Sequence, residues 1–195
     1  MHRSSPKHRQ LLLALLVGLP AIGLAASANA AEGVSYNYVQ GGYAATDTDD
    51  GEAEGFAGEA SFAIHPNFHV FGGYNNQEID DSSVELENWR AGVGYNHPVA
   101  GNTDLVTRVA YENYQADEVG LDADGWSAEV GVRSALTPRL EGYALAGYED
   151  GDDFDGAAYG RLGGQVKFNP NWGLTGDVKF ADGDTQWFVG PRFTW

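Results

Sequence analysis

The segment Trp89-Arg90-Ala91-Gly92-Val93-Gly94-Tyr95-Asn96 alternates with a period of two: Trp89, Ala91, Val93 and Tyr95 are apolar or aromatic, and the residues between them are small, polar or charged. Successive side chains of a strand point to opposite faces, so this rhythm describes a ribbon with one apolar and one polar side. The same split recurs in Leu105, Thr107, Val109 and Tyr111 against Val106, Arg108, Ala110 and Glu112. It returns in Trp126, Ala128, Val130 and Val132 against Ser127, Glu129, Gly131 and Arg133, and in Leu174, Gly176, Val178 and Phe180 against Thr175, Asp177 and Lys179. Each stretch is about ten residues long, the length a tilted strand needs to cross a bilayer.

Two kinds of connection alternate between these strands. Tight, proline-marked turns are expected at His65-Pro66-Asn67, from His97 through Pro98 to Asn102, at Leu136-Thr137-Pro138-Arg139 and at Asn169-Pro170-Asn171. Proline suits them because its φ is fixed and it has no N–H for a ladder. Acidic, glycine-containing loops are expected at Thr46 to Glu54, Glu78 to Glu85, Gln115 to Asp124, Glu149 to Gly156 and Ala181 to Asp184. Four turns and five loops join ten strands; eight is the alternative if the last loop or the first hairpin is miscounted. The fold class expected is therefore all-β, an antiparallel up-and-down transmembrane barrel with short turns on one side and long acidic loops on the other.

Upstream of the strands, the cationic stretch Met1 to Gln10 leads into the apolar run Leu11 to Ala26, broken by Pro20, and then Ala28-Asn29-Ala30. That order of charge, apolar run and small residues is a secretory signal peptide, with cleavage read by Ala28 and Ala30 and the barrel occupying 31–195. Loss of Arg3, Lys7 and Arg9 leaves 8 of the 11 bases against all 28 acids, a net charge of −20. Such a surface repels nucleic acid, which is excluded as a partner. There is no cysteine, so disulfides cannot stabilise the exported chain.

The charges are partitioned. Twenty of the 28 acids fall in the five loop segments, which hold no Lys or Arg. Of the mature bases, Arg139 is in a turn, and Arg90, Arg108, Arg133, Arg161, Lys167, Lys179 and Arg192 all lie on the polar face of strands. Charges facing lipid cost several kcal/mol near the midplane, about 2–4 for a base. A membrane barrel would therefore turn these bases inward to meet Glu59, Glu112, Glu129, Glu141 and Asp177. Aromatic residues near strand ends, among them Tyr36, Tyr38, Tyr43, Phe68, Tyr74, Trp89, Tyr95, Tyr111, Trp126, Tyr148, Trp172 and Trp187, fit two interfacial girdles. The last strand alternates through Trp187, Val189, Pro191 and Phe193 to Trp195 at the C-terminus. Phe193 and Trp195 look like the terminal signal that the outer-membrane barrel-assembly machinery reads.

The stretches Ala31 to Val39, His65 to Asp80, Thr103 to Glu112, Leu140 to Asp150 and Trp187 to Phe193 are similar to a family of outer-membrane barrels from plant-associated and environmental gammaproteobacteria. That family is often labelled diffusible-signal-factor-regulated or an activator of plant immunity. The resemblance covers nearly the whole mature chain and implies a fold and a location, the cell outer membrane. It brings no catalytic motif, and its labels describe regulation or host response.

No enzyme and no cofactor are expected. His65, His69 and His97 are read as polar residues at turns and interfaces, leaving the loop side without a histidine base. Asp150, Asp152, Asp153 and Asp155 are weak metal candidates, because Phe154 falls at a ligand position and no bidentate Glu follows. The expected role is structural or surface-interacting, with paired charges filling the lumen; a narrow porin-like channel for small solutes or cations is the alternative. Expected partners are lipopolysaccharide and outer-membrane lipid, the assembly machinery and loosely held divalent cations, with the chain a monomer.

Overall fold

The computed structural model describes residues 30–48, 51–80, 84–116, 120–152 and 156–195. Ten strands run in chain order: β1 Tyr38–Thr48, β2 Gly51–His65, β3 Phe68–Ile79, β4 Glu85–Ala100, β5 Thr103–Ala116, β6 Leu121–Thr137, β7 Leu140–Gly151, β8 Ala157–Lys167, β9 Trp172–Ala181 and β10 Asp184–Thr194. Each pairs antiparallel with its chain neighbours, and β1 pairs with β10 to close the barrel. Closure abolishes free edges, so every strand has a partner on both sides. Ten strands replace the alternative of eight.

The alternation decides the faces. Trp89, Val93, Tyr111, Val130, Leu162 and Val189 point outward and are exposed, whereas Glu59, Glu112, Glu129, Glu141 and Arg192 point inward and are buried. An exterior carpeted with large apolar side chains exceeds the patches that soluble monomers tolerate. Two tiers of ring contacts mark this exterior. Phe56–Tyr74, Trp89–Tyr111 and Trp126–Tyr148 lie toward one end, with centroids 5.3–5.9 Å apart. Phe68–Tyr95, Trp172–Phe193 and Phe62–Trp195 lie toward the other, 5.0–5.4 Å apart. Trp89 and Tyr95 both belong to β4, and their six-residue separation corresponds to roughly 20 Å of strand.

Three expectations are corrected. First, much of the acid-rich sequence assigned to long loops is paired strand: Glu52 opposes Asp47, Glu54 opposes Glu78, and Asp122 and Asp124 oppose Gln115 and Asn113. Hairpin pairing continues past the apolar zone because the ladder satisfies backbone groups there as well as water does. Asp49, Asp50, Asp81, Asp117, Glu118, Asp153 and Asp155 lie outside the described residues. Second, the turn at His97 to Asn102 is shorter: β4 runs through Pro98 to Ala100 with a register shift between them, leaving Gly101 and Asn102 to turn. A bulge is where a strand tolerates proline. Third, Tyr36 and Tyr38 belong to no girdle; both are buried inside the barrel.

The strands differ in length. β2, β4, β5 and β6 have 15, 16, 14 and 17 residues, whereas β1 and β7 to β10 have 10–12. Where β9 meets β10, Asp182 and Gly183 take φ of 42° and 96°, the left-handed pair that an Asp-Gly hairpin turn supplies.

Candidate functional site: the barrel lumen

Polar-face parity sends every base of the strands into the interior, where three tiers form. The middle tier is a chain of charges around the barrel. Arg90 pairs with Glu59, which also accepts from the Tyr38 hydroxyl at 2.6 Å. Arg108 Nε donates to Glu129 at 2.7 Å and its Nη1 lies 3.9 Å from Glu59. Arg161 reaches Glu129 at 3.8 Å and donates to Asp177 through Nε and Nη2 at 3.0 and 2.6 Å. The Tyr143 hydroxyl donates to the same Asp177 oxygen at 2.5 Å. Arg90 and Arg108 also lie over the Phe71 ring, 5.5 and 5.1 Å from its centroid. Removal of charges from water is costly unless each is paired and hydrogen-bonded; every charge of this belt is paired, and only Glu129 Oε1, 3.8 Å from Arg161, makes no hydrogen bond among the described residues.

Nearer the turns, Glu141 gathers three bases: Arg133 at 2.5 Å, Lys167 at 3.4 Å and Arg192 at 3.8 Å. Arg192 Nε donates to Gln40 at 2.7 Å, and the Arg192 guanidinium covers the Tyr38 ring at 4.3 Å. On the loop side, Glu112 accepts from the Ser127 and Tyr114 hydroxyls at 2.5 and 2.9 Å, and Lys179 pairs with Glu149 at 2.6 Å. Sequence reading placed Glu149 in a loop and did not single out Asp104; both face inward. Their signal was strand parity, Asp104 sharing a face with Val106 and Arg108 at the end of its strand. With them, seven bases face seven acids in these tiers, and Glu87 and Asp184 add two more carboxylates where the vestibule opens.

The turn-side mouth holds a feature the alternation could not reveal. Residues ahead of β1 fold into the opening: Ala31, Val34 and Tyr36 pack with Val106 against Ala135. The Tyr36 ring stacks on His69 at 4.4 Å, and Arg133 covers it at 4.8 Å. Burial pushes the Tyr36 phenol above its ordinary range, so it stays protonated as a donor. His69 therefore lies inside the barrel beneath this segment, a correction to its reading as turn polarity; its position two residues before Phe71 on the inward face puts it there. His65 stays at the turn, edge-on to Phe68 at 5.9 Å, and His97 stacks beside Tyr95 at 6.4 Å.

Two cavities stand out among the described residues, with Glu59 and Arg161 lining both. A vestibule of about 370 Å³ opens toward the loop side, lined by Gln40, Asn75, Gln77, Asn88, Tyr114 and Tyr159 above the charge belt. A second space of about 30 Å³ lies among Tyr36, Tyr38, Glu59, His69 and Arg108. Of the metal candidates, Asp150 accepts from the Gly151 amide at 3.0 Å, and Asp153 and Asp155 lie outside the described residues. Among the described residues no cluster of three or more His, Cys, Asp or Glu is placed to hold a metal. Phe193 and Trp195 stack at 5.9 Å on the outer face. Ala28 lies outside the described residues, and Ala30 is half-buried at the mouth.

No protein-family model matches the chain, and no curated protein matches it. Among solved structures it is similar to the KdgM porin in complex with disordered oligogalacturonate (TM-score 0.45, 11% identity, 81% of this chain and 97% of that one). It is similar also to the NanC porin (0.43, 9%, 81% and 99%). A third is Ail, the attachment invasion locus protein of Yersinia pestis (0.38, 12%, 83% and 100%). These distant likenesses carry no argument; the barrel stands on its own strand pairing.

Proposed function

We propose that the chain is an integral outer-membrane barrel whose lumen is closed by paired charges and whose acidic rim faces outward, with a structural or surface-interaction role and no catalysis. The observation that carries this reading is the unbroken belt from Tyr38 through Glu59, Arg108, Glu129 and Arg161 to Asp177. Its buried ion pairs hold one another in place, and opening a path would strand charges in a poorly solvated interior. The apolar exterior with its two ring tiers supports membrane placement. After removal of residues 1–30 the monomer would be assembled through Phe193 and Trp195. The diffusible-signal-factor-regulated or plant-immunity family remains the proposed kinship, resting on the sequence stretches that resemble it.

Lipopolysaccharide and outer-membrane lipid are the proposed surroundings, with divalent cations bridging rim carboxylates to lipid phosphates. Added Mg²⁺ should then slow proteolysis of the rim; unchanged digestion would remove the cations from this picture. The lumen is tested by reconstituting the purified protein in planar bilayers. Silence is expected. The roomy vestibule favours a second reading, a narrow channel for small solutes or cations, and steady cation-selective steps would establish that reading in place of the first.

A further inference from the structure

Asp104 is fully buried at the turn-side mouth, yet no Lys, Arg or His forms an ion pair with it among the described residues. Its Oδ2 accepts from the Tyr36 hydroxyl at 3.0 Å, and its Oδ1 accepts from the backbone nitrogen of Ala31 at 2.9 Å. A buried carboxylate without a cation is costly to keep ionised. The nitrogen it holds belongs to the residue that follows the Ala28-Asn29-Ala30 cleavage signature.

We infer that Asp104 is a receptor for the chain's own new N-terminus: signal cleavage converts the Ala31 nitrogen from a neutral amide donor into the cationic partner of this carboxylate. A signal peptidase adds water across the Ala30–Ala31 bond, the carbonyl carbon taking the hydroxyl and the nitrogen the hydrogen. At neutral pH the released carboxyl gives up a proton and the amine takes one, so +1 charge appears 2.9 Å from Oδ1.

The surrounding geometry already fixes that atom. The Glu32 amide donates to the Gly101 carbonyl at 2.8 Å, and the Val34 amide to the Ala31 carbonyl at 3.0 Å. Gly33, at φ 83°, makes the turn between them, and Lys167 Nζ donates to its carbonyl at 2.7 Å. Ala31 itself is only 4% exposed, so cleavage precedes folding of this segment, and folding then encloses the charge in the pocket. Charged and titratable groups around the pocket are Tyr36 on the segment, His69 on β3, Asp104 on β5, Arg133 on β6, Glu141 on β7 and Lys167 on β8, with Glu32 exposed beside it and His97 near Asp104 on the outward side of β4. Arg133 and Lys167 are engaged by Glu141, which leaves Asp104 for the amine.

Pairing raises the α-amine above its free value near 8, so the stabilisation is fully present below that value and is lost as pH rises through the folded one. The inference rests on cleavage after Ala30 and not on whether the lumen conducts. Intact-mass measurement of the mature protein extracted from membranes should give Ala31 as first residue; another start would end both the cleavage reading and this one. The folded protein is then treated with acetic anhydride at pH 8 and labelling of the α-amine read by peptide mass spectrometry. Labelling about fivefold or more slower than in the urea-unfolded chain is expected, since raising the amine pKa from about 8 to about 9 lowers its free fraction at pH 8 from about one half to about one tenth. Asp104→Asn should restore fast labelling. A chain with one glycine inserted between Ala30 and Ala31 keeps Asp104 and displaces the amine, so it decides the matter even if Asp104→Asn fails to assemble. An Ala31 start with equally fast labelling in native and glycine-extended proteins would overturn the inference while leaving cleavage intact.

Discussion

Glu129 is the residue through which the belt is continuous, because it joins Arg108 to Arg161. Its replacement by Gln removes one charge and leaves two buried guanidiniums short of a partner. Breaking a buried pair in this way costs about 3–5 kcal/mol, more than the pair contributes net against an apolar replacement. Glu129→Gln should therefore lower the urea-unfolding free energy in detergent by that amount, and a loss under 1 kcal/mol would show the belt to be dispensable. Tyr38→Phe removes only the hydroxyl donated to the buried Glu59 carboxylate and should cost about 1.5–3 kcal/mol. At this scale the sequence was legible where strand parity reaches: the inward bases and most of their acids follow from counting by two. Tyr36 and His69 were not legible, because nothing in a period of two says that a segment ahead of the first strand folds back into the mouth.

Each strand presents two solvents at once. On β6, Val130 faces outward and is half exposed, while Glu129 beside it is buried. A guanidinium at position 130 would sit between the two ring tiers, so Val130→Arg should destabilise by about 2–4 kcal/mol in lipid, read from the thermal midpoint of the gel-mobility shift between folded and unfolded barrel. Equal stability in lipid and detergent-free buffer would contradict a membrane exterior. Gly131, the next inward position, answers a different demand: a Cβ there would lie 2.0 Å from the Ala144 carbonyl oxygen. Gly131→Ala must push β7 away and should reduce the folded fraction on refolding. Element number and order were legible because turns and strands alternate so regularly. Strand ends were not, since acids and glycines that read as loop are compatible with a hairpin ladder once its neighbour supplies hydrogen bonds.

For the whole molecule, the proposed closure rests on the belt, and the N-terminal segment covers the turn side as well. Deletion of Ala31 to Ser35 would remove the packing on Val106 but leave the middle tier untouched. Bilayers containing that variant should stay silent; conductance from it would transfer the closure to the segment. Paired charge in the tiers inside, with acids concentrated at the rim and the vestibule opening, also means that a solute would meet attraction or repulsion at the entrance before any selectivity within.

The pairing that closes the barrel is uneven. β1 meets β2 without a break from Tyr38↔Ser61 to Thr48↔Gly51, but its register with β10 is interrupted between Gln40↔Arg192 and Tyr43↔Val189. Opposite that gap stand Gly190 and Pro191, and Pro191 has no N–H to donate. Local opening follows the thinnest ladder. Amides flanking this join should consequently exchange hydrogen for deuterium sooner than those between β5 and β6, making the meeting point of the first and last strands the place where the wall first parts.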